Sequence, residues 1–125
     1  MVVILALTLV CWSVRVEAGL ESFRDACSSW SPHVATIKSV RWCREEECEA
    51  FGLTNTIGEW FEKRREIVVL AGYDWPGGRD GLRLTLAHEV GHALGLAHSR
   101  EGIMKKDWEP PVADGPAKKD FESLK

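Results

Sequence analysis

The stretch His88-Glu89-Val90-Gly91-His92 constrains this chain more than any other. It lies within Gly81 to Leu94, where Leu82, Leu86, Val90, Ala93 and Leu94 recur at helical spacing and Asp80 reads as an N-cap. On a helix, side chains four positions apart share a face, with β-carbons about 5–6 Å apart. His88 and His92 can then both reach one metal ion at the roughly 2.0–2.1 Å that zinc prefers. Glu89 is rotated by about 100° around the axis. It is badly placed as a ligand and well placed to act on a water bound at that metal. A catalytic zinc needs a third protein ligand and an open position. His98 supplies the ligand only if the chain reverses after His92, because a continued helix would carry it through about 600° to the wrong side. Gly95 permits the reversal, since glycine takes the left-handed conformation that ends helices. Three of the four histidines fall between positions 88 and 98. The expected zinc ligands are therefore His88, His92 and His98, with Glu89 as general base. Two other arrangements remain open. Cys27 as fourth ligand would close a structural zinc site, and Glu101, Glu109 or Glu122 would give a carboxylate as third ligand, which His98 makes unnecessary.

The rest of the chain is read around this segment. At 125 residues it is expected to be one domain. Lys and Arg total 16 against 19 Asp and Glu, a net charge of -3. That leaves no basic field for nucleic acid. Val2 to Trp12 is an apolar run too short to span a bilayer and of the length of a signal-peptide core. Val16-Glu17-Ala18 offers a cleavage site, although no cation precedes the run. The expectation is a signal peptide over 1–18, a domain over 19–125, a secreted or periplasmic location, and no stable membrane insertion; the alternative is that the run is a first buried strand. Cleavage would leave Cys27, Cys43 and Cys48. Cys43 and Cys48 flank the polar Arg44-Glu45-Glu46-Glu47 and are the preferred pair, but three pairings are possible. An odd Cys27 would be a buried thiol or a device that caps a metal.

Leu20 to Ser29 has the spacing of a short helix, ended at Ser31-Pro32. Thr36 to Trp42 alternates like a strand, with Ala50 to Thr56 as a candidate antiparallel partner. Ile57, Trp60 and Phe61 fit a helical face within Asn55 to Arg65, weakened by Gly58. Ile67 to Ala71 is the clearest strand, and Pro116 to Leu124 reads as a short last helix. The expected class is α+β, a small mixed twisted sheet packed on the helix that carries the histidines.

The full pattern His88-Glu89-x-x-His92-x-x-Gly95-x-x-His98 resembles the zinc signature of the metzincin metallopeptidases, and Ser99 resembles the matrixin branch. Gly102-Ile103-Met104 is similar to the metzincin Met-turn, which would put Met104 beneath the three imidazoles. Phe51-Gly52-Leu53-Thr54 and Ile67 to Ala71 are similar to the strands that precede the helix in small bacterial matrixin-like proteins. The likeness spans Ala50 to Trp108. It departs after Met104, where Lys105-Lys106 stand in place of an aromatic residue and a proline. The resemblance implies a monomeric zinc metalloendopeptidase acting on a peptide or protein substrate, extended along a sheet edge, with Ile67 to Ala71 the expected strand unless that strand is an interior one. Lys105 and Lys106 then either favour acidic side chains after the cut or form a solvated basic turn. The competing function is a catalytically weak metzincin-like zinc protein that acts as a peptide-binding module.

Overall fold

The computed structural model describes residues 15–16, 19–33, 35–54, 56–75, 78–106 and 115–124. Its centre is β4 (Glu66–Leu70), where the β-branched run Ile67, Val68 and Val69 is fully buried on both faces. β2 (Ser39–Cys43) pairs with β4 in parallel, from Ser39 opposite Glu66 to Cys43 opposite Leu70. β3 (Gly58–Phe61) pairs with it antiparallel, and the two-residue β1 (Arg15–Val16) extends the sheet beyond β2 in parallel. The order is β1-β2-β4-β3, so β3 is the edge strand at one side. The fold is α+β with a mixed sheet, as the sequence predicts.

Alternation along β4 divides the core. Ile67 and Val69 join Phe23, Trp30, Leu86, Val90, Ile103 and Met104 on the helical side. Val68 faces a smaller cluster with Cys43, Cys48 and Leu53. The helical side is closed by α1 (Leu20–Ser29) and α2 (Arg79–Ala93). α3 (Lys118–Glu122) is shorter than the expected Pro116 to Leu124. α2 begins one residue before Asp80, with Gly78 rather than Asp80 in the N-cap position.

Two sequence expectations are corrected. Ala50 to Thr56 is not a strand: Cys48–Phe51 is a 3-10 helix, followed by Gly52 at φ +91°. The cause is the Cys43–Cys48 disulfide, which joins residues only five apart and turns the chain before it can run beside β2. The antiparallel partner is instead β3, inside the segment whose apolar spacing looked helical. Gly58 disfavours a helix there, and Trp60 and Phe61 are good strand residues. A turn through Glu62 and Arg65, with Arg65 at φ +53°, returns the chain into β4.

Arg15–Val16 fall within the expected signal peptide, and their pairing with Ser39 and Val40 is all that is described of it. The apolar run Val2 to Trp12, the expected cleavage at Ala18 and the loop residues Pro76 and Gly77 lie outside the described residues. Among the described residues, no helix is long and apolar enough to cross a membrane.

Candidate metal centre

α2 is buried continuously from Thr85 to Gly91. Leu86, Ala87 and Val90 face the core, which leaves His88 and Glu89, each 6% exposed, at the floor of a cleft. The helix ends as the histidine spacing requires. Gly95 takes φ +104°. Its N–H donates to His92 O at 2.9 Å, and the Leu96 N–H donates to Gly91 O at 3.0 Å. These two bonds form a Schellman motif, which satisfies the last helical carbonyls while reversing the chain. The reversal brings His98 back over the helix. Ser99 then bridges to Lys105, with the Ser99 N–H donating to Met104 O at 3.0 Å.

The three imidazoles converge. Ring centroids lie 4.7 Å apart for His88 and His92, 4.7 Å for His92 and His98, and 5.3 Å for His88 and His98. One nitrogen from each ring lies within 4.8 Å of the others, and this group can hold a metal ion. Hydrogen bonds fix the tautomers. His88 Nδ1 donates to Ile103 O at 2.6 Å and His92 Nδ1 donates to Leu96 O at 2.7 Å. Both Nε2 atoms therefore present lone pairs, and these face each other at 3.1 Å. Two lone pairs at that distance repel unless a cation lies between them. The spacing also fits the chemistry, because two nitrogens bound tetrahedrally at zinc's ligand distance stand roughly 3.3 Å apart. Backbone carbonyls on the outer nitrogens are the usual orienting partners of metal-ligating histidines.

The electrostatics agree. Burial, with smaller contributions from charge on His92 and His98, lowers the pKa of His88 to about 4, against the bond to Ile103. Burial likewise lowers that of His92. Protons therefore compete weakly for the nitrogens a metal would use. Glu89 is shifted the other way. Burial, then the charge of Glu59, raises its pKa to about 8, opposed by a hydrogen bond from the Trp60 backbone N–H.

The cleft has a volume of about 730 Å³. Its other wall is β3 and the residues before it, with Thr56, Gly58, Glu59 and Trp60 facing the histidines. Of the two readings open for Ile67 to Ala71, substrate-binding edge or interior strand, the first is corrected and the second holds. Ile67 to Ala71 is interior, enclosed by β2 and β3, and the edge that borders the cleft is Gly58–Phe61. Of the two lysines, Lys106 lines the cleft and Lys105 is half-buried in the bridge to Ser99. Cys27 packs in the core with Phe23, Ala26 and Trp30, outside the histidine group. Glu101 is exposed and pairs with Lys119 at 2.7 Å, Glu122 is exposed, and Glu109 lies outside the described residues.

Gly91 and Met104 complete the support. Met104 is 1% exposed. Its sulfur occupies the space where a Cβ on Gly91 would stand, and Trp30 Cζ2 would be 2.9 Å from that Cβ. Met104 is therefore pressed against α2 at Gly91, between the His88 and His92 positions. Sequence spacing does not show this requirement for Gly91; a glycine in mid-helix, at a cost of about 1 kcal/mol relative to alanine, is its one sign. Comparison with protein-family models, with curated proteins and with solved structures returns no match.

Proposed function

We propose that this protein is a zinc-dependent metalloendopeptidase of the metzincin, matrixin-like type. The observation that carries the reading is the convergence of His88, His92 and His98, with two Nε2 lone pairs 3.1 Å apart, on a cleft that Glu89 also lines. His88, His92 and His98 are the residues that hold the metal. Bound there, zinc supplies Lewis acidity, which acidifies water and polarises a carbonyl.

The chain's own groups do the rest. Glu89 takes a proton from the attacking water at its carboxylate and delivers it to the leaving amine. Its pKa of about 8 belongs to the site without a cation. A divalent charge nearby favours the carboxylate, which is the form a base needs. The Trp60 N–H ties this carboxylate to the edge strand. A peptide laid along Gly58–Phe61 by main-chain pairing runs directly past it. The Cys43–Cys48 disulfide is compatible with an exported protein, and secretion or periplasmic residence as a monomer is part of the proposal.

The test is zinc content together with cleavage of a quenched peptide library. Hydrolysis that a chelator abolishes and zinc restores, and that Glu89→Gln removes while zinc stays bound, supports the reading. Zinc binding and peptide capture without turnover in the unaltered protein would mark a peptide-binding module instead. Full hydrolysis by the Glu89→Gln variant would refute the role of Glu89.

A further inference from the structure

Thr85 lies on α2 one turn before Glu89 and lines the same cleft. It is 5% exposed, and its hydroxyl oxygen is buried with no hydrogen-bond partner among the described residues. A helical threonine commonly returns its hydroxyl to a carbonyl three or four positions back. Thr85 does not. Its methyl group faces the edge strand instead: a Cβ placed on Gly58 would stand 3.3 Å from Thr85 Cγ2 and 3.9 Å from Glu89 Oε2. The Thr85 side chain and the Glu89 carboxylate thus flank one point on β3. A valine would fill the same volume without leaving a polar atom unpaired.

We propose that Thr85 is a positioning residue for Glu89, its hydroxyl donating a hydrogen bond to the ionised carboxylate. A rotation of about 120° around χ1 carries the hydroxyl into the staggered position that the methyl group holds. The O–H then points to the place on β3 that Glu89 Oε2 borders. With Trp60 N–H on one side and Thr85 O–H on the other, the carboxylate has a single orientation from which to meet water. The catalytic consequence rests on Glu89 being the base of the proposed peptidase; the hydrogen bond itself does not.

Thr85→Val and Thr85→Ser variants of the full chain, with and without zinc, test this. Four quantities are compared at one pH: the Tm of the zinc-free protein and, with zinc bound, kcat and KM on a quenched peptide and the ¹³C resonance of the Glu89 carboxyl, assigned with Glu89→Gln. In the zinc-free protein, where the hydroxyl has no partner among the described residues, Thr85→Val is expected to raise Tm by roughly 3–6 °C. It is expected to lower kcat about tenfold with KM unchanged and to shift the carboxyl resonance, while Thr85→Ser recovers most of both. An unmoved resonance, an unchanged kcat, or a Tm that falls with kcat overturns the proposal, the last marking Thr85 as packing alone. Should the unaltered protein cleave nothing, the peptidase reading falls by itself, and the resonance still decides the hydrogen bond.

Discussion

Gly91 shows how one atom governs the centre. Met104 Sδ and Trp30 Cζ2 occupy the space of its absent side chain, so Gly91→Ala forces either α2 or the Met104 loop outward. We expect a loss of about 1–3 kcal/mol in denaturant unfolding, the usual cost of overpacking, and weaker zinc binding in a chelator competition. The second effect follows because Ile103 O, which orients His88, belongs to the displaced loop. Titration gives another prediction at this scale. Glu89 is raised from 4.5 to about 8, so the stability it lends is full below pH 4.5 and lost as pH rises to 8. His88 is lowered from 6.5 to about 4, so its contribution is present above pH 6.5 and lost as pH falls to 4. Above pH 6.5 only the Glu89 loss remains, and the zinc-free protein should be most stable between about pH 4.5 and 6.5. Urea midpoints across pH check this; a midpoint that climbs steadily to pH 8 contradicts it. The three histidines, Glu89 and Gly95 were legible in the sequence because their spacing is local and helical. The carbonyl of Ile103 and the contact of Met104 with Gly91 were not, because a loop that arrives later in the chain supplies them.

Among the elements, apolar spacing misleads in short segments, where a covalent or tertiary constraint outweighs it. The run Ile67 to Val69 declares a strand whatever surrounds it. Ile57, Trp60 and Phe61 have apolar spacing that suits a helix, yet β4 recruits the segment as its edge partner. The disulfide decides Cys48–Phe51. A loop of five residues removes about 2 kcal/mol of unfolded-chain entropy by loop-closure arithmetic. Replacing both Cys43 and Cys48 by serine should therefore lower unfolding stability by about 2 kcal/mol. Zinc content should be unchanged, because Cys43, Cys48 and Leu53 cluster on Val68, while the histidine helix packs against the face that bears Ile67 and Val69. Loss of zinc in the double variant, with the fold intact by circular dichroism, would show that the two faces are coupled.

Over the whole molecule, the last helix braces the end of the first helix, α1, and through Trp30 the helix that bears the histidines. Phe121 of α3 meets Trp30 edge to face at 5.6 Å and stacks on His33 at 5.7 Å. Trp30 in turn donates from Nε1 to Ala87 O at 2.8 Å, one residue before His88, and crowds Gly91. Asp120, 4% exposed, accepts the Ala117 N–H at 2.7 Å, and Lys119 reaches Glu101 beside the Met104 turn. The sequence shows the helix but gives it too thin an apolar face to hold on its own. What anchors it is one aromatic side chain meeting a tryptophan some ninety positions away, a pairing that no local pattern encodes. The exposed Lys119–Glu101 pair adds little, since exposed pairs contribute about 0–1 kcal/mol. Phe121 therefore carries the docking. Phe121→Ala is expected to cost about 1–3 kcal/mol, less than a fully buried phenylalanine because its ring is half-exposed. It should also release Trp30 enough to loosen Met104 against Gly91, raising the zinc dissociation constant several-fold. Lys119→Ala should change neither quantity measurably. Equal effects of the two substitutions would mean that the charged pair, and not the aromatic contact, holds the end of the chain against the histidine helix.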